Sequence, residues 1–482
     1  MNTYETIKVT FSYDHNPITI NDDNIKTENS IEMTCNVTVN NKESWDRIQI
    51  KTYSKKTIKL YGKNNLDIEF CTHYVNGDVR SVIKLIDCRI ENIVDHHSGK
   101  TQYYTFNIIP NEVIINNKAH NTPDTEITFY NSDHQLLSPN IQYNLSSDGN
   151  ITLTKSEPII VKLNNDEDIK LDIESKLERD EKFEISTKQI LKIKSNNSNL
   201  TIDDVRNNYI DKIDAFNDIL SFINSNKVVC RYWNLKSNDG VYTVFRCRIK
   251  NPIKDTQKKK HLMMPLQAKE NIENMFHTYL SSHYRQNIRL AINVLNASNQ
   301  YLESRYLSLF QSFESIILTH KEKNNTTFIL CESEFRSLRQ TIERIITKDV
   351  IKDSKTRGKI KNKLGELNRI SLKDATQECL KEHLIHTHDL WPLFNESGKL
   401  GLSEIRNIII HGVIIPSDNL INIAVACEHL TIYLTRLILC LLGCDHRETI
   451  YSEEHLRFSS NVNDFAFWEH HRKSLTEALK TH

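Results

Sequence analysis

The sequence predicts a multi-domain α+β protein: a mainly antiparallel β sandwich or barrel, then an all-helical bundle. Three observations predict this. Up to about residue 200 the apolar residues recur with period two, the spacing of half-buried strands. From about residue 251 the character changes, and the apolar residues then recur every three or four positions. Between the halves lie Asn251-Pro252 and the Lys258-Lys259-Lys260 run, a polar junction. At 482 residues the chain exceeds what one core usually serves. The domains are therefore set at 1–250 and 265–482.

In the first half, Ile7, Val9, Phe11 and Tyr13 alternate with polar residues. Ile31, Met33, Cys35, Val37 and Val39 do the same against Glu32, Thr34, Asn36 and Thr38. Further strands are expected around Ile58–Tyr61, Val82–Ile90, Tyr103–Ile109 and Ile127–Tyr130. Two hairpins are marked by turn residues. Ile141–Leu145 and Ile151–Thr154 flank Ser147-Asp148-Gly149, and Val228–Leu235 and Val241–Ile249 flank Asn238-Asp239-Gly240. One helix interrupts the strands at about 202–224. Ile202, Val205, Tyr209, Ile213, Phe216, Leu220 and Ile223 step by three and four, and Thr201 with Asp204 forms a capping-box pattern.

In the second half, helices are expected at roughly 267–296, 299–320, 328–349, 355–369, 372–384, 402–411 and 418–443. The three isoleucines of Arg406-Asn407-Ile408-Ile409-Ile410-His411 imply a short helix buried on much of its surface.

Lys+Arg and Asp+Glu are both 62, so the net charge is zero. A nucleic-acid partner would have to be held by local basic patches rather than by a global field. The start, MNTYETIKVTF, lacks a basic segment followed by an apolar core, so no signal peptide is expected. The apolar stretch from Leu430 to Gly443 contains Arg436 and is shorter than the ~20 residues a bilayer span needs. Ten cysteines without a C-x-x-C pair read as reduced thiols, and the expected setting is cytoplasmic, with no membrane partner.

The chemistry-bearing stretch is S-E-I-R-N-I-I-I-H-G. On an ideal helix Asn407 and His411 share a face, whereas Arg406 and His411 lie about 140° apart. They converge only if the helix stops at His411, and Gly412 followed by Pro416 supplies that stop. A histidine in a last helical turn suits proton transfer near neutral pH. An adjacent arginine can hold a phosphate and stabilise charge on its oxygens. The pair alone also fits a surface ion pair or a satisfied cap.

R-N-x-x-x-H-G before a long apolar helix, in an all-helical C-terminal domain, resembles the R-x(4–6)-H motif of HEPN nucleases over roughly residues 265–450. A β-rich N-terminal half of this size before such a domain resembles the ApeA-like family of bacterial anti-phage defence proteins. That second likeness rests on architecture alone. The resemblance implies a metal-independent endoribonuclease, with no cofactor, in which Arg406 and His411 are the catalytic pair. Asn407 takes the polar position after the arginine, and Glu314 in F-Q-S-F-E-S-I-I is an acidic residue that can face the site. It further implies an RNA substrate, a homodimer formed through the helical domain, a phage-derived trigger, and abortive infection by cutting host RNA, tRNA among the candidates.

The segment Lys352–Arg369 carries seven basic residues against Asp353 and Glu366, a net charge of +5. Lys355, Arg357, Lys359, Lys361 and Lys363 are the candidates for tracking an RNA backbone, with Lys258–Lys260 a secondary patch. Cys379, His383, His386 and His388 form the best metal-like cluster, with Cys379 and His383 one helical turn apart. Asp95-His96-His97 reads as a polar loop, and Cys440, Cys444 and His446 form a weaker group. Gly99-Lys100-Thr101 ends like a phosphate loop, but Val94 stands where that motif needs glycine. Two alternatives to the nuclease remain at this stage: a non-catalytic RNA-binding or dimerisation scaffold with the β half as recognition surface, and a metal-dependent hydrolase using the His-rich groups.

Overall fold

The structure, a computed structural model, describes residues 2–480 apart from 14–29, 40–44, 46, 54–65, 74–78, 99–100, 118–124, 133–136, 138–140, 146–150, 156, 165, 180–182, 250–260, 298–300, 348–349, 414 and 460–463. The expected strand at 58–61, the 147–149 turn, Gly99-Lys100, Asn251-Pro252 and Lys258–Lys260 lie outside the described residues. The chain divides into two compact units, residues 1–220 with 228–256, and 221–227 with 257–482.

The first unit is antiparallel throughout its described ladders. Six strands close a ring in the order β5 (Val79–Ser98), β4 (Leu66–His73), β1 (Asn2–Tyr13), β2 (Ser30–Val39), β3 (Ile48–Thr52), β6 (Thr101–Ile109), and β6 returns to pair with β5. Closure removes the sheet edges that would otherwise be left unpaired. Strand β5 makes closure possible because it serves two partners in turn. Its first half pairs with β4 and its second with β6, and between them Asp87 adopts φ +50° while its N–H donates to Asp67 Oδ1 at 2.9 Å. Alternation holds as read. Met33, Cys35, Val37 and Val39 are buried while Glu32 and Thr34 face solvent. With Ile48, Ile50, Ile68, Phe70, Leu85, Phe106 and Ile108 they make one apolar core.

The first half of β5 also pairs with β7 (Glu112–Asn117). From there an open arm runs through β15 (Gly240–Arg246), β14 (Cys230–Ser237), β8 (Thr125–Asn131), β13 (Phe183–Ser195), β12 (Asp168–Arg179) and β11 (Ile159–Lys162). The first expected hairpin is the separate β9–β10 pair, Ile141–Leu145 with Ile151–Lys155. The second is β14–β15, closed by Asn238-Asp239. The expected helix is α1 (Ile202–Val205) and α2 (Asp211–Ile223), joined by a π-helical turn. Thr201 and Asp204 form the capping box. Arg246 grips Asp214 with two 2.7 Å bonds, and Arg206 pairs with Glu112, so α1–α2 is bolted to the arm by charged pairs.

The second unit is helical: α3 (Pro265–Ser281), α4 (Arg285–Asn296), α5 (Leu302–Lys323), α6 (Glu332–Ile345), α7 (Ser354–Lys363), α8 (Leu372–Glu382), α9 (Leu402–Ile410), α10 (Leu420–Leu441), α11 (Glu453–Ser459) and α12 (Phe465–Lys480). The expected 267–296 helix is two helices. Ser282 is extended, and its hydroxyl accepts the Tyr284 N–H at 3.1 Å, which breaks the ladder. Residues 328–330 are not helical either. They pair with 368–370 in a short antiparallel bridge, closing the α6–α7 excursion at its base.

Helix α10 is the axis of this unit, and α5, α4 and α12 pack on it, while α8 and α9 pack on α5. Its composition would allow a membrane span, but 83% of that apolar window is buried inside the unit. Arg436 in it is fully buried and binds Asp389 through two bonds of 2.8 and 2.7 Å.

Candidate active site

The site is built on α9 and on the facing stretch of α5. The start of α9 is held by backbone contacts that leave no choice of residue at 401. A Cβ on Gly401 would stand 2.3 Å from the Phe394 carbonyl carbon and 2.7 Å from the Asn395 nitrogen. The Gly401 N–H donates to Glu404 Oε2 at 2.9 Å, and the N–H groups of Leu402 and Ser403 donate to the Pro392 and Leu393 carbonyls. Buried Tyr306 of α5 donates its hydroxyl to the Leu402 carbonyl at 2.6 Å, so α9 enters at a fixed height along α5.

The helix ends where Gly412 was expected to stop it. His411 is the last residue before the turn, with φ −76° and ψ 4°, and Gly412 has φ +77°. The Gly412 N–H donates to the Ile409 carbonyl and the Val413 N–H to the Ile408 carbonyl. These two bonds are a Schellman ending, which requires a left-handed residue at 412. His411 is exposed, and its ring makes no hydrogen bond among the described residues.

Arg406 is engaged on three sides. Its Nη2 lies 3.3 Å from Glu314 Oε2, its Nη1 donates to Asn407 Oδ1 at 3.0 Å, and its guanidinium sits 6.0 Å from the centre of the Phe310 ring. Arg406, Asn407 and Glu314 are thus brought together, while His411 projects from the end of the same helix. Phe310 escaped the sequence reading. It lies one turn before Glu314, so the F-x-x-x-E spacing was the available signal.

The isoleucine run is less buried than the sequence reading holds. Ile405 is buried, Ile408 and Ile409 are half-buried, and Ile410 is 52% exposed. The helix packs on α5, and burial falls off toward its last turn. Ile410 and Val413, which flank His411-Gly412 in the chain, are both exposed, as are Leu420 and Ile421 at the start of α10.

Helix α7 carries the basic candidates and buries none of its residues. Lys355, Lys359 and Lys363 are exposed at i, i+4 and i+8, which places them on one face. Arg357 is turned inward and donates to the Ile351 and Lys352 carbonyls, and Lys361 is half-buried.

The metal-like residues separate into two groups. His386 stands 6.3 Å from His388 and 6.4 Å from His446 between ring centres, and His388 Nε2 lies 2.8 Å from Glu453 Oε2. Cys379 and His383 instead meet His320 of α5, which lies 59 residues before Cys379 in the chain. Burial pushes the Cys379 thiol up to about 12 and the His383 imidazole below its usual range. Cys440 faces His446 Nδ1 at 3.5 Å, and burial raises the Cys444 thiol. Asp95, His96 and His97 lie in the last part of β5 rather than in a loop, because their backbones pair with β6; His96 stacks on Tyr103. A cavity of about 450 Å³ is lined by Thr376, Tyr433, Trp468 and Arg472 among others, and neither Arg406 nor His411 reaches it.

No family model matches the chain, and no curated protein matches it. Among solved structures it is similar to a double tryptophan mutant of Hcp1 from E. coli EAEC 042, with 13% identity, 24% of this chain and 93% of that one covered, and a TM-score of 0.17. Hcp3, a secreted protein of Pseudomonas aeruginosa, gives 12%, 23%, 91% and 0.17. A type six secretion system protein gives 12%, 34%, 95% and 0.15. Scores this low carry nothing about activity.

Proposed function

We propose that the helical unit is a metal-independent endoribonuclease of the HEPN kind, acting on RNA as a homodimer. The observation that carries the reading is the pairing of a seated arginine with a free histidine on one short helix. Glu314, Asn407 and Phe310 hold the Arg406 guanidinium at the surface, and the Schellman ending presents the His411 ring to solvent.

The chemistry needs two things, a proton acceptor for the RNA 2′-OH and positive charge on the phosphate. His411 takes the 2′-OH proton, and the 2′ oxygen attacks the adjacent phosphorus. Arg406 donates to the non-bridging oxygens, whose charge grows in the transition state. The bond from phosphorus to the 5′ oxygen breaks, and that oxygen takes up a proton. The products carry a 2′,3′-cyclic phosphate and a 5′-OH. One helix end supplies one imidazole, so a second copy is the natural source of the acid. Exposed Ile410 and Val413, on either side of His411-Gly412 in the chain, are apolar groups that such a copy would cover. By family resemblance the setting is bacterial cytoplasm, the role is abortive infection, and the β unit receives a phage-derived trigger.

A second reading is a non-catalytic RNA-binding scaffold. It is favoured by the counter-ion that Glu314 gives Arg406, as in a structural ion pair. Both are tested by incubating the purified chain with total cellular RNA in EDTA, beside Arg406→Ala and His411→Ala, with folding followed by circular dichroism. Cleavage by the parent chain leaving cyclic phosphate ends, lost in both folded variants, is expected. Cleavage unchanged in either folded variant would overturn the assignment of the pair. RNA binding without cleavage would move the scaffold ahead.

A further inference from the structure

We infer that His320, Cys379 and His383 form a binding site for a zinc-class divalent cation that staples the end of α5 to the end of α8. The site does not rest on the nuclease reading and shares no residue with it.

Four observations support it. One nitrogen from each histidine and the Cys379 sulfur lie within 4.8 Å of one another. Zinc holds thiolate at ~2.3 Å and imidazole at ~2.0–2.1 Å in a tetrahedron, so a contraction of about 1 Å closes the set. Second, the donors are hidden: His320 is 1% exposed, Cys379 is fully buried and His383 half-buried. His383 Nε2 is buried with no hydrogen-bond partner among the described residues. A buried imidazole nitrogen without a partner is destabilising, and a cation would satisfy it.

Third, His320 is already oriented as metal-bound histidines are. Its Nδ1 lies 3.1 Å from the Tyr284 hydroxyl, which fixes the ring, and its Nε2 lies 3.1 Å from Asn324 Nδ2, a contact that a cation on Nε2 would displace. The Glu382 carboxylate lies 3.3 Å from that Nε2, and Asn324 donates to it at 3.0 Å. Glu382 stands outside the three-donor set but beside His320, where it can anchor a water as the fourth ligand. Fourth, His320 lies in the last turn of α5, and His383 is the residue that ends α8. Two helix C-termini bring their negative ends together there, which favours a cation. Of the nearby ammonium groups, Lys321 donates to the Ile370 carbonyl, while Lys323 lies over the Tyr284 ring and its charge opposes a cation beside His383.

Neighbouring histidines and thiols do not join the set. Cys440 is occupied by His446, and His388 by Glu453. The site links two distant segments rather than the contiguous C-x(3)-H-x(2)-H-x-H run, so only half of it was visible in the sequence.

The test uses the full chain, stripped by dialysis against a chelator and titrated with Co²⁺ as a spectroscopic probe. We expect one equivalent to bind, with tetrahedral visible bands and a thiolate-to-cobalt charge-transfer band. Cys379→Ser should lose the charge-transfer band. His320→Gln and His383→Gln should each weaken binding at least ~100-fold, more than loss of an outer partner does. Cys331→Ser, at an exposed thiol, should change nothing. Absence of stoichiometric binding to the parent chain, survival of the charge-transfer band in Cys379→Ser, or unchanged affinity in His320→Gln would each overturn the site. Should a variant fold poorly, Zn²⁺ added to the stripped parent chain must raise its melting temperature; no rise means no site. No RNA is present, so the result is independent of whether the chain cleaves RNA.

Discussion

Arg406 and Glu314 stand 3.3 Å apart, Nη2 to Oε2, although 92 residues separate them in the chain. Both side chains are partly exposed, so the pair contributes only about 0–1 kcal/mol to stability. Its consequence is positional. Without Glu314 the guanidinium keeps, among the described residues, Asn407 and the Phe310 ring. If Arg406 holds the scissile phosphate as proposed, Glu314→Ala should melt within a few degrees of the parent chain yet lose between tenfold and a hundredfold in kcat/KM for RNA, because misplacement of such a group costs on that scale. Glu314→Gln, which keeps a hydrogen-bond acceptor, should fall between the two. A loss of stability matching the loss of activity would mean that Glu314 is structural.

Gly412 gives a sharper separation of backbone from contact. Nothing lies within 4 Å of a Cβ built there, yet its φ is +77°. Gly412→Ala therefore meets no clash and bears only the left-handed strain of about 1–2 kcal/mol. Asparagine tolerates that conformation better than alanine. Gly412→Asn should be closer to the parent chain in melting temperature, and RNA cleavage should fall in the same order, since the ending at 412 aims His411. Equal melting temperatures for the two variants would show that the left-handed turn is not what 412 contributes.

How much of this was legible follows from what burial uses. Four of the six ring strands were readable, because apolar and polar residues alternate along them as from Met33 to Val39, whereas β3 and β4 were not expected. The stop at Gly412 was readable because its chemistry is local. Closure of the ring was not, because it depends on β5 changing partners at Asp87, a residue that looks like any polar residue in a strand. Helix α12 was missed for a different reason. Its buried face is Trp468, Glu469, His471, Arg472, Leu475 and Thr476, spaced i, i+1, i+3, i+4, i+7 and i+8, but four of the six are polar. A periodicity search for apolar residues cannot see a helix whose inward face is hydrogen-bonded. The Glu314 and Phe310 partners of Arg406 were beyond reach as contacts, because they come from packing α5 against α9. The resemblance supplied Glu314 alone.

The basic helix allows a measurement that does not need cleavage. Lys355, Lys359 and Lys363 share one exposed face of α7, whereas Arg357 is spent on two carbonyls. If the face contacts single-stranded RNA, each phosphate neutralised adds about 0.7 to the slope of log K against log salt. The triple change to alanine should weaken RNA binding at all sequences tested and lower that slope by about 2. Arg357→Ala should instead lower stability, with little effect on the slope. A slope unchanged in the triple variant would remove α7 from the RNA interface.

Arg436 is the strongest stability test in the helical unit. It is fully buried in α10, gives two bonds to Asp389, and donates to the His386 carbonyl at 2.7 Å and the Tyr451 carbonyl at 2.9 Å. The guanidinium thus closes two chain segments, His386–Asp389 and the stretch at Tyr451, onto the central helix. Arg436→Leu would leave the Asp389 carboxylate buried without a counter-ion and two carbonyls without a donor. Breaking a buried pair on one side costs about 3–5 kcal/mol. Arg436→Leu combined with Asp389→Leu removes both charges, so it should recover part of that loss while the two carbonyls stay unpaired. Denaturant unfolding of the parent chain, the single and the double variant decides this. A double variant no more stable than the single one would show that the carbonyl bonds, not the charge pair, are what Arg436 provides.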